Sequence, residues 1–287
     1  MKNRGKLPVW LKRRMPASAT YGDTRNTLKD LELETICTNA NCPNRGQCWD
    51  RGTATVLILG NVCTRNCKFC SVGHGKPEPP AADEPDRIAE MSKRMGVKYL
   101  VITSVDRDDL PDGGAGHFAA VVNRCRELND GMQFELLTGD FRDSMDESIE
   151  ILGTALPFVF SHNVETVPSL YTKARPGGNY ERSLDLLRKF KNRFSDTPTK
   201  SSMMFGLGET DEEVIEVLKD LRSVGVDRVA MGQYLKPSKE SLDVVEYVEP
   251  AKFDWWGEKA KELGFSWVMS SPFTRSSYHA ELERTDQ

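Results

Sequence analysis

The sequence predicts an α/β fold, a partial (β/α)6 barrel of the TIM type with an extension at each end. Three observations carry this expectation. From residue 53 onward, short and nearly continuous apolar runs alternate with stretches of helical periodicity, the pattern of parallel strands covered by helices. Six or seven such units recur, which favours a complete or partial barrel over an open doubly wound sheet. No Gly-x-Gly-x-x-Gly fingerprint follows the first strand; three cysteines stand there instead.

Taken in order, residues 1–36 are basic first. Lys2, Arg4, Lys6, Lys12, Arg13 and Arg14 precede any acidic residue, as a solvated arm or a docking surface for an acidic partner would. Leu7-Pro8-Val9-Trp10-Leu11 gives this arm apolar anchors. Thr53–Gly60 reads as a buried strand, Asp86–Met95 as a helix and Lys98–Ser104 as the next strand. Further strands are expected to begin near Phe134, Phe158, Ser201, Arg228 and Ser266. Helices are expected over 115–129, 145–152, 180–194, 211–224 and 251–263. Ser144-x-x-Glu147 and Thr210-x-x-Glu213 read as capping boxes.

Six of seven cysteines fall in residues 37–70, as two triplets: Cys37, Cys42, Cys48 and Cys63, Cys67, Cys70. Soft thiolates this close select zinc, copper(I) or iron–sulfur clusters. A closed zinc site takes four protein ligands, whereas the second triplet stops at three. A cubane cluster so held keeps one iron open to a small molecule. Clustered cysteines without an apolar signal core favour a reducing compartment and metal over disulfides. Cys125 reads as a buried thiol on a helix.

A net charge of −4, with 38% hydrophobic and 29% charged residues, points to neither nucleic acid nor membrane. In a barrel the active site lies at the C-terminal ends of the strands. The second triplet takes such a position, and so do Thr103–Asp109, Ser161–Glu165 and Gly206–Glu209, each of which also reads as ordinary loop chemistry.

Cys63-x3-Cys67-x2-Cys70, with aromatic Phe69 before the last cysteine, resembles the signature of the radical S-adenosylmethionine (SAM) superfamily. Cys37-Thr38-Asn39-Ala40-Asn41-Cys42-Pro43-Asn44-Arg45-Gly46-Gln47-Cys48 resembles the auxiliary-cluster motif of the lipoyl synthase family. Ser104–Ala115, His162–Val167 and Arg275-Ser276-Ser277-Tyr278 are similar to further stretches of that family, so the resemblance runs from about Leu7 to Ala280.

The resemblance implies two 4Fe-4S clusters and SAM as cofactors. The cluster on Cys63, Cys67 and Cys70 would bind SAM on its open iron and generate a radical. The one on Cys37, Cys42 and Cys48, closed by Ser277 with Ser276 as the alternative, would donate sulfur. Two sulfur atoms would enter C6 and C8 of an octanoyl chain on a lysine of a carrier, a lipoyl domain or a glycine-cleavage carrier protein. Implied partners are a ferredoxin or flavodoxin reductant and an iron–sulfur cluster carrier for repair. Asn163 and Glu165 are expected to contact SAM or substrate, Thr103, Ser104 and Asp106 the methionyl or ribose end, Phe69 the adenine, and Arg175 a carboxylate or a radical intermediate.

The expected organisation is residues 1–52 with the auxiliary motif, 53–265 as the barrel and 266–287 as the C-terminal extension, in a cytoplasmic monomer. The competing readings are a methylthiotransferase-type radical SAM enzyme, an iron–sulfur electron carrier and a zinc-binding interaction protein.

Overall fold

The computed structural model describes residues 7–12 and 18–280. Lys2, Arg4, Lys6, Arg13 and Arg14 of the basic arm lie outside the described residues. Of the arm's apolar anchors only Leu11 is buried, while Leu7, Val9 and Trp10 are exposed. The expectation that this run packs on the body therefore narrows to one side chain.

Helices α1 (Ala19–Asp30), α2 (Ile36–Asn39) and α3 (Arg45–Asp50) form the N-terminal extension. Strand β1 (Val56–Ile58) opens the sheet, and the short pair β2 (Val62–Cys63) and β3 (Gly73–His74) brackets the cysteine loop. The barrel then runs α4 (Glu84–Met95), β4 (Tyr99–Ser104), α5 (Ala115–Leu128), β5 (Gln133–Leu137), α6 (Met145–Gly153), β6 (Val159–Ser161), α7 (Tyr171–Ala174) and α8 (Tyr180–Arg193). It continues with β7 (Thr199–Phe205), α9 (Asp211–Ser223), β8 (Arg228–Gln233), α10 (Pro250–Glu262) and β9 (Trp267–Ser270).

The main sheet has seven strands in the order β1-β4-β5-β6-β7-β8-β9, and each neighbouring pair is parallel. Strand order follows chain order, with a helix returning each strand to the start of the next, as a right-handed β/α repeat requires. Strands β1 and β9 stand at opposite ends of this order, so the barrel is partial. Strand β9 lies within the expected C-terminal extension, and the sheet thus runs past residue 265.

Apolar residues one helical turn apart cover the sheet. Val214, Val217, Leu218 and Leu221 on α9 and Phe253 and Trp256 on α10 are all buried. Inside the barrel, Lys200 and Glu135 form an ion pair of 3.0 Å with both side chains fully buried.

The expected first strand, Thr53–Gly60, is shorter in the structure. Its leading residues are drawn to the N-terminal extension: Leu57 N–H donates to Glu34 O, and Ile36 N–H to Thr55 O. Leu59 then turns the chain at φ 67°. The extension thereby pairs antiparallel with β1, through Thr35 and Val56, along an edge that would otherwise be open.

The Thr210 capping box is formed in both directions. The expected box at Ser144 is not. Ser144 adopts φ −136° and ψ 22° and caps no N–H; its hydroxyl lies 3.0 Å from that of Ser148.

Candidate active site

The cysteine loop leaves β1 at the C-terminal end of the sheet and is fastened from four sides. Thr64 donates its N–H and hydroxyl to Asp106 O, at 3.0 and 2.9 Å. Lys68 N–H donates to Ala174 O and Leu242 N–H to Lys68 O, both at 2.8 Å. Ser71 donates its hydroxyl to Asn39 O at 2.7 Å, tying this loop to the first cysteine motif.

Main-chain N–H groups of Arg65 and Asp106 approach Cys63 Sγ at 3.4 and 3.3 Å, and that of Val72 approaches Cys70 Sγ at 3.4 Å. Such donors stabilise sulfur carrying negative charge. Without metal the thiols hold their protons: burial pushes Cys63 up to about 11 and Cys67 up to about 12, and raises Cys70.

Arg65, inside the motif, carries a role its sequence position did not announce. Its buried guanidinium pairs with Asp108 through Nε and Nη2, at 2.8 and 2.6 Å, and with Asp140 through Nη2 at 2.6 Å. Asp106 Oδ1 is 3.6 Å from Nη1. One cation thus pins the cysteine loop to the ends of β4 and β5.

Cys63, Cys67 and Cys70 open into a cavity of about 300 Å³. All the expected contact residues line it: Phe69, Thr103, Ser104, Asp106, Asn163, Glu165 and Arg175. Thr103 donates its hydroxyl to Leu137 O at 3.0 Å, so toward a ligand it is left as an acceptor. Burial raises Asp106, against the pull of Arg65 and Arg175. Burial likewise raises Glu165, which Arg175 and Asn163 oppose. Glu165 holds φ 69°, an uncommon conformation for a non-glycine residue, and its backbone bonds to Ser202 and Met204 keep it there.

Beneath Arg175 lies a buried group in which His162, from the stretch Ser161–Glu165, meets Tyr171 and Ser183, which the sequence did not single out. Arg175 Nη1 donates to Tyr171 Oη and to Asn163 O, each at 3.2 Å. His162, fully enclosed, has Nδ1 2.9 Å from Thr138 O and Nε2 3.0 Å from Ser183 Oγ. Burial, reinforced by Arg175, brings His162 down to about 4. Tyr234, from the end of β8, also lines the cavity. Gly206–Glu209 shows loop chemistry instead: Glu209 accepts from the N–H groups of Gly206, Leu207 and Gly208.

A second cavity gathers Cys37, Cys42, Cys48 and Ser277. Ser277 comes from the far end of the chain, and local contacts seat it. Asn44 Nδ2 donates to Phe273 O at 2.7 Å, and Tyr278 Oη donates to Gln47 Oε1 at 3.0 Å. Cys42 and Ser277 line both cavities, whereas Ser276 lines only the larger.

The donor sets fit 4Fe-4S clusters. The loop of Cys63, Cys67 and Cys70 brings three thiols to the first cavity, whose wall Cys42 of the other triplet also reaches, and the second offers three thiols and a hydroxyl. None of the cysteines is in a disulfide. In a cubane each ligand binds a different iron, so the thiols need not converge on one point. Among the described residues no group of three His, Cys, Asp or Glu side chains is arranged to hold a single metal ion. Cys63, Cys67 and Cys70 would hold the SAM-binding cluster, with Cys37, Cys42, Cys48 and Ser277 around the second.

A parallel β/α sheet carrying Cys-x3-Cys-x2-Cys after its first strand defines a radical SAM enzyme, and the Radical SAM superfamily model matches residues 57–221. The solved structure of methylornithine synthase (PylB) shares the fold at TM-score 0.55 and 15% identity, over 94% of this chain and 89% of that one. Streptococcus suis SuiB aligns at TM-score 0.58 and 16% identity, over 74% of this chain and 47% of that one. The model for the N-terminal domain of lipoyl synthase matches residues 1–42. The lipoyl synthase of Glaesserella parasuis is 51% identical over 279 residues, 97% of this chain and 87% of that one. That of Thiobacillus denitrificans is 49% identical over 280 residues, 98% and 90% of the two chains. The chain belongs to the lipoyl synthase family.

Proposed function

We propose that the protein inserts two sulfur atoms, at C6 and C8, into an octanoyl group amide-linked to a lysine of a carrier protein, yielding a lipoyl-lysine. Family membership supports the reaction. The observation that carries the division of labour is that two cysteine cavities meet at Cys42 and Ser277.

Carbons 6 and 8 of a saturated chain bear no activating group, so no side-chain base removes their protons. SAM and the clusters, when bound, supply the hydrogen-abstracting radical and the sulfur. The chain's own residues bind, orient and exclude water. Asp106, Asn163, Glu165 and Arg175 would present paired charge and hydrogen bonds to the polar ends of SAM, Ser104 and Thr103 would accept from it, and Phe69 would lie against its adenine. Leu57, Val105, Leu137 and Met203 supply apolar wall for a hydrocarbon chain.

Ser277 would hold the auxiliary cluster as its fourth ligand, beside Cys37, Cys42 and Cys48. A hard oxygen among soft sulfides is the donor most readily lost, which suits a centre taken apart in turnover. A ferredoxin or flavodoxin would supply electrons, and an iron–sulfur cluster carrier would serve for repair. The carrier substrate is a lipoyl domain or a glycine-cleavage carrier protein, and the enzyme works as a cytoplasmic monomer. Among the described residues no helix is long and apolar enough to cross a membrane.

Ser277→Cys tests the ligand assignment. It is expected to bind the auxiliary cluster at least as well while slowing sulfur release; unchanged formation of the dithiolated product excludes it. Alanine variants of Asn163, Glu165 and Arg175, assayed for SAM binding and 5′-deoxyadenosine yield, test the cavity contacts.

A further inference from the structure

Asn163 ties the two cavities together. Its amide nitrogen donates to Glu165 Oε1 at 3.1 Å, and its amide oxygen accepts from the hydroxyl of Ser276 at 3.1 Å. Its main-chain carbonyl accepts from Arg175 Nη1 at 3.2 Å. The carboxylate, which only accepts, draws the amide nitrogen to Glu165 and so turns the amide oxygen to the Ser276 hydroxyl. Asn163 belongs to the wall of the larger cavity, whereas Ser276 belongs to the chain end that crosses to the smaller one. Ser276 does not line the smaller cavity; its neighbour Ser277 does.

The segment around Ser276 is held from both sides. Upstream, Ser271 N–H donates to Met231 O at 3.1 Å, and Gln233 N–H to Pro272 O at 3.2 Å. Downstream, Tyr278 Oη reaches Gln47. Between these anchors, the hydroxyl of Ser276 makes a side-chain bond immediately before Ser277 in sequence. Ser276 lines only the larger cavity, while Ser277, one residue on, lines both.

We propose that Ser276 is a positioning residue for the auxiliary centre: its hydrogen bond to Asn163 is a latch that holds the Ser277 hydroxyl against Cys37, Cys42 and Cys48. The two adjacent serines divide two tasks, Ser277 presenting oxygen to iron and Ser276 fixing where that oxygen stands. Because Glu165 and Arg175 grip the same asparagine, the latch is anchored in the wall where SAM binds. The proposal rests on the reading of Ser277 as the fourth cluster ligand.

The experiment uses the full chain with Cys63→Ala, Cys67→Ala and Cys70→Ala as background, so that only the auxiliary cluster is reconstituted. Iron release to the ferrous chelator bathophenanthroline is followed anaerobically. Ser276→Ala is expected to release iron about five-fold faster than the background protein, the factor that one lost hydrogen bond gives. Ser276→Thr, which keeps the hydroxyl, restores the background rate. Ser277→Ala releases iron at least as fast as Ser276→Ala, and the double variant no faster than Ser277→Ala alone, since the latch acts only through Ser277.

An unchanged rate in Ser276→Ala overturns the latch. So does a double variant faster than Ser277→Ala, which would mean that Ser276 acts independently. A background rate in Ser277→Ala instead overturns the ligand reading beneath it; combined with fast release in Ser276→Ala, it makes Ser276 the ligand.

Discussion

At the scale of single residues, burial decides more than sequence position does. His162 is enclosed and neutral, brought down to about 4 from an ordinary 6.5. Between those values the unfolded chain binds a proton that the folded chain refuses, so stability rises with pH through this window and is lost as pH falls toward 4. The contribution is on the order of 3 kcal/mol. Denaturant titrations of the apoprotein from pH 7 to 4 are expected to show this decline and His162→Gln to flatten it; equal slopes would exclude His162 as the source. Arg65 makes the opposite case, a buried cation facing three carboxylates. Arg65→Ala leaves Asp140 and Asp108 without their main partner and is expected to cost about 3–5 kcal/mol, read by thermal or chemical unfolding, and to lower iron content at the neighbouring triplet. Neither role was legible beforehand, because the partners of both lie far away in sequence, at Asp140 for Arg65 and at Ser183 for His162.

At the scale of elements, local signals were legible where the chain's own neighbours satisfy them. The Thr210 box formed because Thr210 and Glu213 need only each other; Ser144 failed because a turn from Phe141 and the nearby Ser148 hydroxyl engage it first. Thr210→Ala is therefore expected to destabilise by about 1 kcal/mol and Ser144→Ala by less, measured as denaturant midpoints at constant slope. Strand β8 shows a closer constraint. A Cβ at Gly232 would overlap the main-chain carbonyl of Thr274, so Gly232→Ala is expected to push away the segment leading to Ser276 and Ser277. Iron and sulfide analysis should find the auxiliary cluster depleted and the Cys63 cluster retained; full occupancy of both would show that the segment accommodates the methyl group.

At the scale of the whole molecule, the barrel was readable because each β/α unit repeats a local pattern of apolar strand and amphipathic helix. Spacing likewise exposed both cysteine triplets. What spacing does not encode is the meeting of residues 37–48 with residue 277, which depends on Asn44, Gln47 and Arg51 receiving the chain end. The family motifs supplied that pairing as an expectation, and the geometry explains how the two ends reach one cavity. In the proposed reaction the triplets are unequal: the cluster on one would generate radicals and the cluster on the other would give up sulfur. The most direct test is anaerobic incubation of the reconstituted protein with SAM, dithionite and an octanoylated lysyl peptide, read by mass spectrometry beside the Cys37→Ala, Cys42→Ala, Cys48→Ala variant. The intact protein should yield peptide that has lost two hydrogens and gained two sulfurs, while the variant forms 5′-deoxyadenosine without adding sulfur. A methylthiolated product, or sulfur addition by the variant, would contradict the account.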